Sequence, residues 1–448
     1  SRYSFLTGRY PHAHRVRANW YAPRPGERSF GHCLSEAGYD TATIGKMHLT
    51  PWHDNFGFHG RIIAESKFHI HCPDDYERFL NHHGWSRTQL YDYKDPAYVR
   101  NLTSLRSKLP QELHIDTFVG RSICEYLKLA VEPFCLFASF LSPHNPYDPP
   151  TPFYDLYRDK GLPRLNITEG EVERKPKEAY EYINNRLRWP FKTDQLTRDQ
   201  IRAQYSAYLG TCTLIDDWVG RIVDVLKERN LYDNTVIVYT SDHGDLLGDH
   251  GLVYKQSFYE QSVRVPLIVH APTRFPARRV PDLIESIDLF STFCDLGESW
   301  AGNGVQGKTL VPLLEAQKNH SHRQAAFSEN YFGRMVRYRE FKMVYYQGKP
   351  YGELYNLEED PDEQRNLWDA LEGSALKQEL KDLLLDWAFT SEDVFPLPAR
   401  PDHQDMSPRE TILHHGGTRE SERQPWYLPQ LLSLYKDWEF GETGILRE

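Results

Sequence analysis

The strongest constraint on the fold is an alternation of amphipathic helices with short apolar strands, clearest between residues 202 and 240. Arg202–Arg229 carries Leu214, Ile215, Trp218, Val219, Ile222, Val225 and Leu226 in one stripe, with Asp216, Asp217 and Lys227 off it. That is the spacing of a helix laid against a core. The β-branched run Thr235–Thr240 then reads as a buried strand. The same order is predicted earlier, with a Ser29–Ala37 helix before a Tyr39–Ile44 strand and a His114–Leu129 helix before a Phe134–Leu141 strand. Val265–His270 reads as a further strand and Ser286–Leu296 as a further helix. Helices and strands repeated in this way over roughly 300 residues specify an α/β fold with a doubly wound sheet sandwiched by helices.

Chemistry gathers where these strands end. Lys46 and His48 follow the first, His144 the second, and Asp242, His243 and then Lys255 the third. Ligands in open α/β sheets bind outside the carboxyl ends of strands, so these clusters are expected to converge. Alone, the Asp-His-Gly stretch reads equally well as a hydrogen-bonded loop, and a lone His after a strand is more often a loop residue than a catalyst. Together, Lys46 and Lys255 suit tetrahedral anionic oxygens, and His48 and His144 suit hydrogen bonding or proton transfer near neutral pH. Asp242 beside His243 offers an oxygen and a nitrogen ligand to a divalent metal, with Gly244 expected to turn the backbone. One carboxylate is too few for a hard cation, and no nucleophile stands among these residues.

The net charge of −10 over 448 residues argues against a nucleic-acid partner, and no run of 18 apolar residues suggests a membrane span. The six cysteines show no metal-finger spacing. Residues 50–110 and 148–195 read as irregular and polar, a functional insertion or lid and surface loops. Their aromatics, among them Trp52, Trp85, Tyr91, Tyr154, Tyr157 and Trp189, are candidates for stacking on a sugar. Two domains are expected: an α/β catalytic unit over 1–325 and a smaller C-terminal α+β unit over 326–448. In the second, Met335–Arg339, Phe341–Tyr346 and Leu354–Leu357 read as strands and Ala375–Trp387 as a helix. The last 50 residues lack periodicity and read either as a wrapping arm at a homo-oligomer contact or as partly disordered chain. The chain opens at Ser1 inside what looks like a motif, so an N-terminal portion is expected to precede it.

These residues resemble the type I, formylglycine-dependent sulfatases of the alkaline-phosphatase-like superfamily. Ser1–Arg9 (SRYSFLTGR) resembles the latter part of the signature Cys/Ser-x-Pro-Ser-Arg-x-x-x-Leu-Thr-Gly. Gly45-Lys46-Met47-His48 is similar to the family's Gly-Lys-x-His, and Pro143-His144-Asn145-Pro146 to its Pro-His-x-Pro. Ser241–Lys255 resembles the Asp-His-Gly…Gly-x-His-Gly…Lys block, and Glu353–Leu367 the C-terminal signature. His243 stands where many members carry Asn.

The resemblance implies an alkaline-phosphatase-like mixed α/β sheet with a small C-terminal domain. It implies hydrolysis of an organic sulfate ester, a sulfated saccharide being the expected substrate, by a formylglycine located just upstream of Ser1. A formylglycine-generating enzyme would be the maturation partner. One divalent ion is implied, calcium in the first place, with magnesium or manganese as alternatives. Asp242 and His243 would be its ligands, and Arg2 would support the nucleophile and the metal side. Lys46 and His48 would hold the nucleophile and sulfate, while His144 and Lys255 would bind sulfate and assist the leaving oxygen. The alternatives are a phosphonate monoester or phosphodiester hydrolase of the same fold, and an inactive homologue that binds sulfated glycans. A periplasmic or extracellular compartment is expected ahead of a cytoplasmic one.

Overall fold

The computed structural model describes residues 1–392 except 20, 53, 69–73, 91–96, 98–100, 162, 172–173, 175–195, 303 and 318–319. The C-terminal arm, with its expected role in oligomer contact, and Tyr91 and Trp189 lie outside the described residues.

Three parallel strands lie in the order β2-β1-β3: β1 is Asp40–Gly45, β2 Gly60–Ile63 and β3 Phe134–Ser139. Side chains alternate across a strand. Ala42 and Ile44 of β1, with Phe134 and Leu136 of β3, therefore face the Ile115–Leu129 and Arg198–Glu228 helices. Cys135 and Phe137 face the other way, onto the Phe30–Glu36 and Asp288–Leu296 helices. Both faces of the sheet are covered, as the doubly wound reading requires.

The 31-residue Arg198–Glu228 helix starts one turn earlier than its apolar stripe suggests. Thr197 caps it reciprocally with Gln200, satisfying donors that would otherwise be orphaned at the first turn. His114 caps the next longest central helix with a single bond, accepting from the Asp116 amide.

β4 (Ile237–Thr240) pairs antiparallel with β5 (Leu267–His270) in a separate two-stranded sheet, so the α/β unit holds both parallel and antiparallel strands. β3 and β4 are not hydrogen-bonded neighbours. A groove of about 690 Å³ runs between them, walled by both helix layers, and reaches the carboxyl ends of both strands.

Residues 50–110 are no mere insertion. They supply β2 and the Asp75–His82 helix, whose Tyr76, Phe79 and Leu80 are fully buried in the main core. The run Arg61–Ala64 is too short for its period to stand out among polar neighbours.

The C-terminal sheet is a meander, β6 (Ala325–Glu329), β7 (Gly333–Tyr338), β8 (Phe341–Tyr346) and β9 (Gly352–Asn356). Val336, Met343 and Leu354 pack on Leu380, Leu384 and Trp387 of the Ala375–Thr390 helix. Asp288 anchors this sheet to the body: it accepts from His322 at 3.1 Å and from both ends of the Arg323 guanidinium, just before β6.

Candidate active site

Arg2 is the hub of the strand ends. The short Arg2–Thr7 helix closes with Gly8 in the left-handed region and places the guanidinium over β1, β3 and β4. Nε donates to Asp242 Oδ2 at 3.0 Å, and Nη1 donates to the Lys46 carbonyl at 2.7 Å and Ser139 Oγ at 2.9 Å. One planar fork thus ties the ends of three strands, a task for which a lysine has the wrong shape.

Arg2, Lys46, His144, Asp242, His243 and Lys255 all line the groove at this end. His48 does not; its ring meets Glu65. Burial, with Arg2 and Lys255 nearby, brings the Lys46 ammonium down to about 7. Burial works against the Asp242 carboxylate, yet the charges of Arg2 and its neighbours hold it well below the usual carboxylate range.

The three histidines share one arrangement. His144 Nδ1 meets the Asn145 carbonyl at 2.7 Å, His243 Nδ1 the Gly244 carbonyl at 2.8 Å, and His48 Nδ1 the Glu65 carboxylate at 3.1 Å. Each partner is an acceptor, so Nδ1 carries the hydrogen and Nε2 presents its lone pair. Burial first, then Lys255 among the neighbouring cations, pushes His144 well below its ordinary value and His243 down to about 4. Both rings are neutral near pH 7.

Asp242 Oδ1 and His243 Nε2 stand 3.6 Å apart. An oxygen and a nitrogen so placed fit two positions on one divalent cation. They do not complete a shell, which for a hard cation needs about six ligands. Among the described residues no group of three or more His, Cys, Asp or Glu could hold a metal.

Gly244 departs from the sequence reading in its reason. Its φ is not positive; a Cβ there would lie 1.9 Å from the Gln261 carbonyl oxygen, so glycine serves close packing rather than a turn. Its amide donates to the Ser262 carbonyl at 2.8 Å, and Ser262 Oγ donates to the Lys255 carbonyl, which braces the loop presenting Lys255. Gly45, at φ 104 and with a Cβ position 1.9 Å from the Ser139 carbonyl oxygen, admits no side chain where β1 delivers Lys46.

The second histidine of the 241–255 block, His250, is fully buried away from the groove. It stacks on Tyr259 and meets Glu171 at 2.9 Å, a structural pin. The aromatics expected at a sugar-binding rim do other work: Trp85 packs on the core, Tyr154 lies under Arg106 and Arg158, and Tyr157 bonds Thr213. None of these, nor Trp52, lines the groove.

Sequence reasoning missed Ser139 and Glu65. Ser139 ends β3 and Glu65 follows β2 by two residues, the pattern that marked the other sites, but Glu65 lay inside the stretch read as irregular.

Residues 1–299 match the family model described as Sulfatase, and residues 248–389 match that of the N-sulphoglucosamine sulphohydrolase C-terminal region. An arylsulfatase of Clostridium perfringens is 27% identical over 390 residues, 82% of this chain and 79% of its own length. A choline-sulfatase of Rhizobium meliloti is 28% identical over 395 residues, 82% of this chain and 72% of its own. Among solved structures, the phosphonate monoester hydrolase of Agrobacterium radiobacter superposes with a TM-score of 0.77 at 24% identity, covering 87% of this chain and 86% of that one. This last likeness shows the fold, which is alkaline-phosphatase-like.

Proposed function

Because the chain belongs to the sulfatase family, whose members are sulfuric ester hydrolases, we propose that its groove cleaves a sulfated saccharide with a formylglycine nucleophile and one calcium ion. The observation that carries this reading is the meeting, at one sheet end, of two lysines, an Arg–Asp pair and neutral histidines with exposed Nε2 lone pairs. The saccharide is supported by the C-terminal family match, named for a sulphoglucosamine substrate.

Each residue then has a task. Lys46 and Lys255 neutralise the sulfate oxygens, and in a water-poor groove that attraction is far stronger than in solvent. Arg2 fixes Asp242 through Oδ2, leaving Oδ1 for the cation beside His243 Nε2. When bound, the ion supplies Lewis-acid polarisation of the same oxygens. The rest of its shell, and the formylglycine, would come from residues preceding Ser1, as the signature resemblance implies. His144 Nε2 is placed to carry a proton to the departing ester oxygen once the sulfate charge has offset the burial and the lysine charges that keep it neutral.

A phosphonate monoester hydrolase is the second reading, favoured by the 0.77 TM-score, because both substrates present similar tetrahedral oxygens. Mass spectrometry of the peptide spanning Ser1, from the full-length matured enzyme, tests the nucleophile. A formylglycine aldehyde or its hydrate is expected; an unmodified residue in an enzyme that turns over would refute it. A panel of sulfated monosaccharides and aryl sulfates tests the substrate class.

A further inference from the structure

His48 sits in the left-handed region at φ 57, a conformation that costs a non-glycine residue energy unless its surroundings enforce it. One carboxylate supplies the enforcement. Glu65 Oε2 accepts from the Met47 amide at 3.2 Å and the His48 amide at 3.1 Å, while Oε1 faces His48 Nδ1 at 3.1 Å. The backbone turn and the ring it carries are held by the same group.

Glu65 is itself built in. Ala64 donates to the Gly45 carbonyl at 3.1 Å, extending the β1–β2 ladder to the residue before it. The Glu65 amide donates to Asp74 Oδ2 at 2.7 Å. Asp74 is gripped by both Nη atoms of Arg87 at 2.7 Å, and neither side chain of that pair is exposed to solvent. The Glu65 carboxylate has a 12% exposed side chain, and the His48 bond and nearby Lys46 keep it below its ordinary value against the cost of burial. It is ionised and can only accept.

We infer that Glu65 is a positioning residue: by accepting from Nδ1 and from two successive amides it fixes His48 as the Nδ1–H tautomer, with Nε2 left as the acceptor. The inference rests on the sulfatase reading only for its effect on turnover. The tautomer is a property of the protein alone.

Glutamine separates this from a merely structural role. Its single acceptor oxygen can serve the two amides or the ring, not both. With the oxygen on the amides, the Gln NH₂ meets Nδ1 as a donor and drives the ring to the Nε2–H form. Two readouts are taken on the full-length matured enzyme: nitrogen-15 spectra of labelled histidine, with His48 assigned by its loss in His48→Gln, and kcat and KM for a sulfate ester.

In the wild type, Nδ1 carries the proton. In Glu65→Gln the signal moves to Nε2–H, and kcat falls roughly 10- to 100-fold with little change in KM. Glu65→Asp, still an anionic acceptor, keeps the Nδ1–H signal and recovers part of the rate. A wild-type ring protonated at Nε2 overturns the inference whatever the variants do. An unchanged tautomer or unchanged kcat in Glu65→Gln does so as well. Absence of sulfate-ester turnover in the wild type would instead count against the proposed function and leave the tautomer result standing.

Discussion

Arg2 and Asp242, 240 positions apart in the chain, meet through a bond of 3.0 Å from Nε to Oδ2. The bond occupies one carboxylate oxygen and turns the other toward His243 Nε2, 3.6 Å away. Under the proposed function this orients a loop aspartate toward the cation.

Replacing Asp242 by Ala is expected to lower metal content and turnover together, since the cation would lose the carboxylate oxygen beside His243. Elemental analysis beside kcat checks this. Full metal occupancy with a normal rate would remove Asp242 from the ligand set.

The buried ammonium of Lys46 makes anion binding depend on pH. To hold sulfate as proposed it must be charged, and burial brings its value to about 7. Inhibition by inorganic sulfate should therefore weaken as pH rises above 7, by up to about tenfold per unit for one proton. Lys46→Arg, which keeps its charge, should flatten the dependence even if it binds less well. A wild-type inhibition constant that is flat from pH 6 to 9 would contradict the assignment.

His144 Nδ1 is committed to the Asn145 carbonyl, so only Nε2 can reach a leaving oxygen. His144→Ala should cost little on nitrophenyl sulfate, whose leaving group needs no proton, and about 100-fold on an unactivated sugar sulfate. Equal losses on both would reduce His144 to a binding group.

Much of this site was legible because strand ends carry its residues and each strand has an apolar run that announces it. β1 and β3 delivered Lys46 and His144 as their patterns indicated. Glu65 was hidden because β2 spans only four residues amid polar loops, too short to show a period. The groove between β3 and β4 was not legible at all. Both strands read as ordinary buried strands, and nothing in an apolar run says which strand it will pair with. The rim aromatics failed for another reason: composition places aromatics in a segment, while packing against Arg106, Arg158 and the core decides where they point.

Asp288 makes a stability prediction. Burial raises its carboxyl, but His322, Arg323 and the Lys308 amide outweigh that and bring it down to about 2. Relative to an unfolded value near 3.8, the depressed value stabilises the fold fully above pH ~4. That contribution, about 2 kcal/mol, is lost as pH falls through 2. Asp288→Asn should lower the wild-type Tm at pH 7 and shrink that difference in acid. A Tm difference that is constant from pH 7 down to pH 2 would contradict the pairing.

The most direct measurement compares nitrophenyl sulfate with a phenyl phosphonate monoester, on the full-length matured enzyme with calcium present. If the groove is a sulfatase site, kcat/KM for the sulfate exceeds that for the phosphonate and falls in Lys46→Ala and Lys255→Ala. Phosphonate cleavage far faster than sulfate cleavage would contradict it.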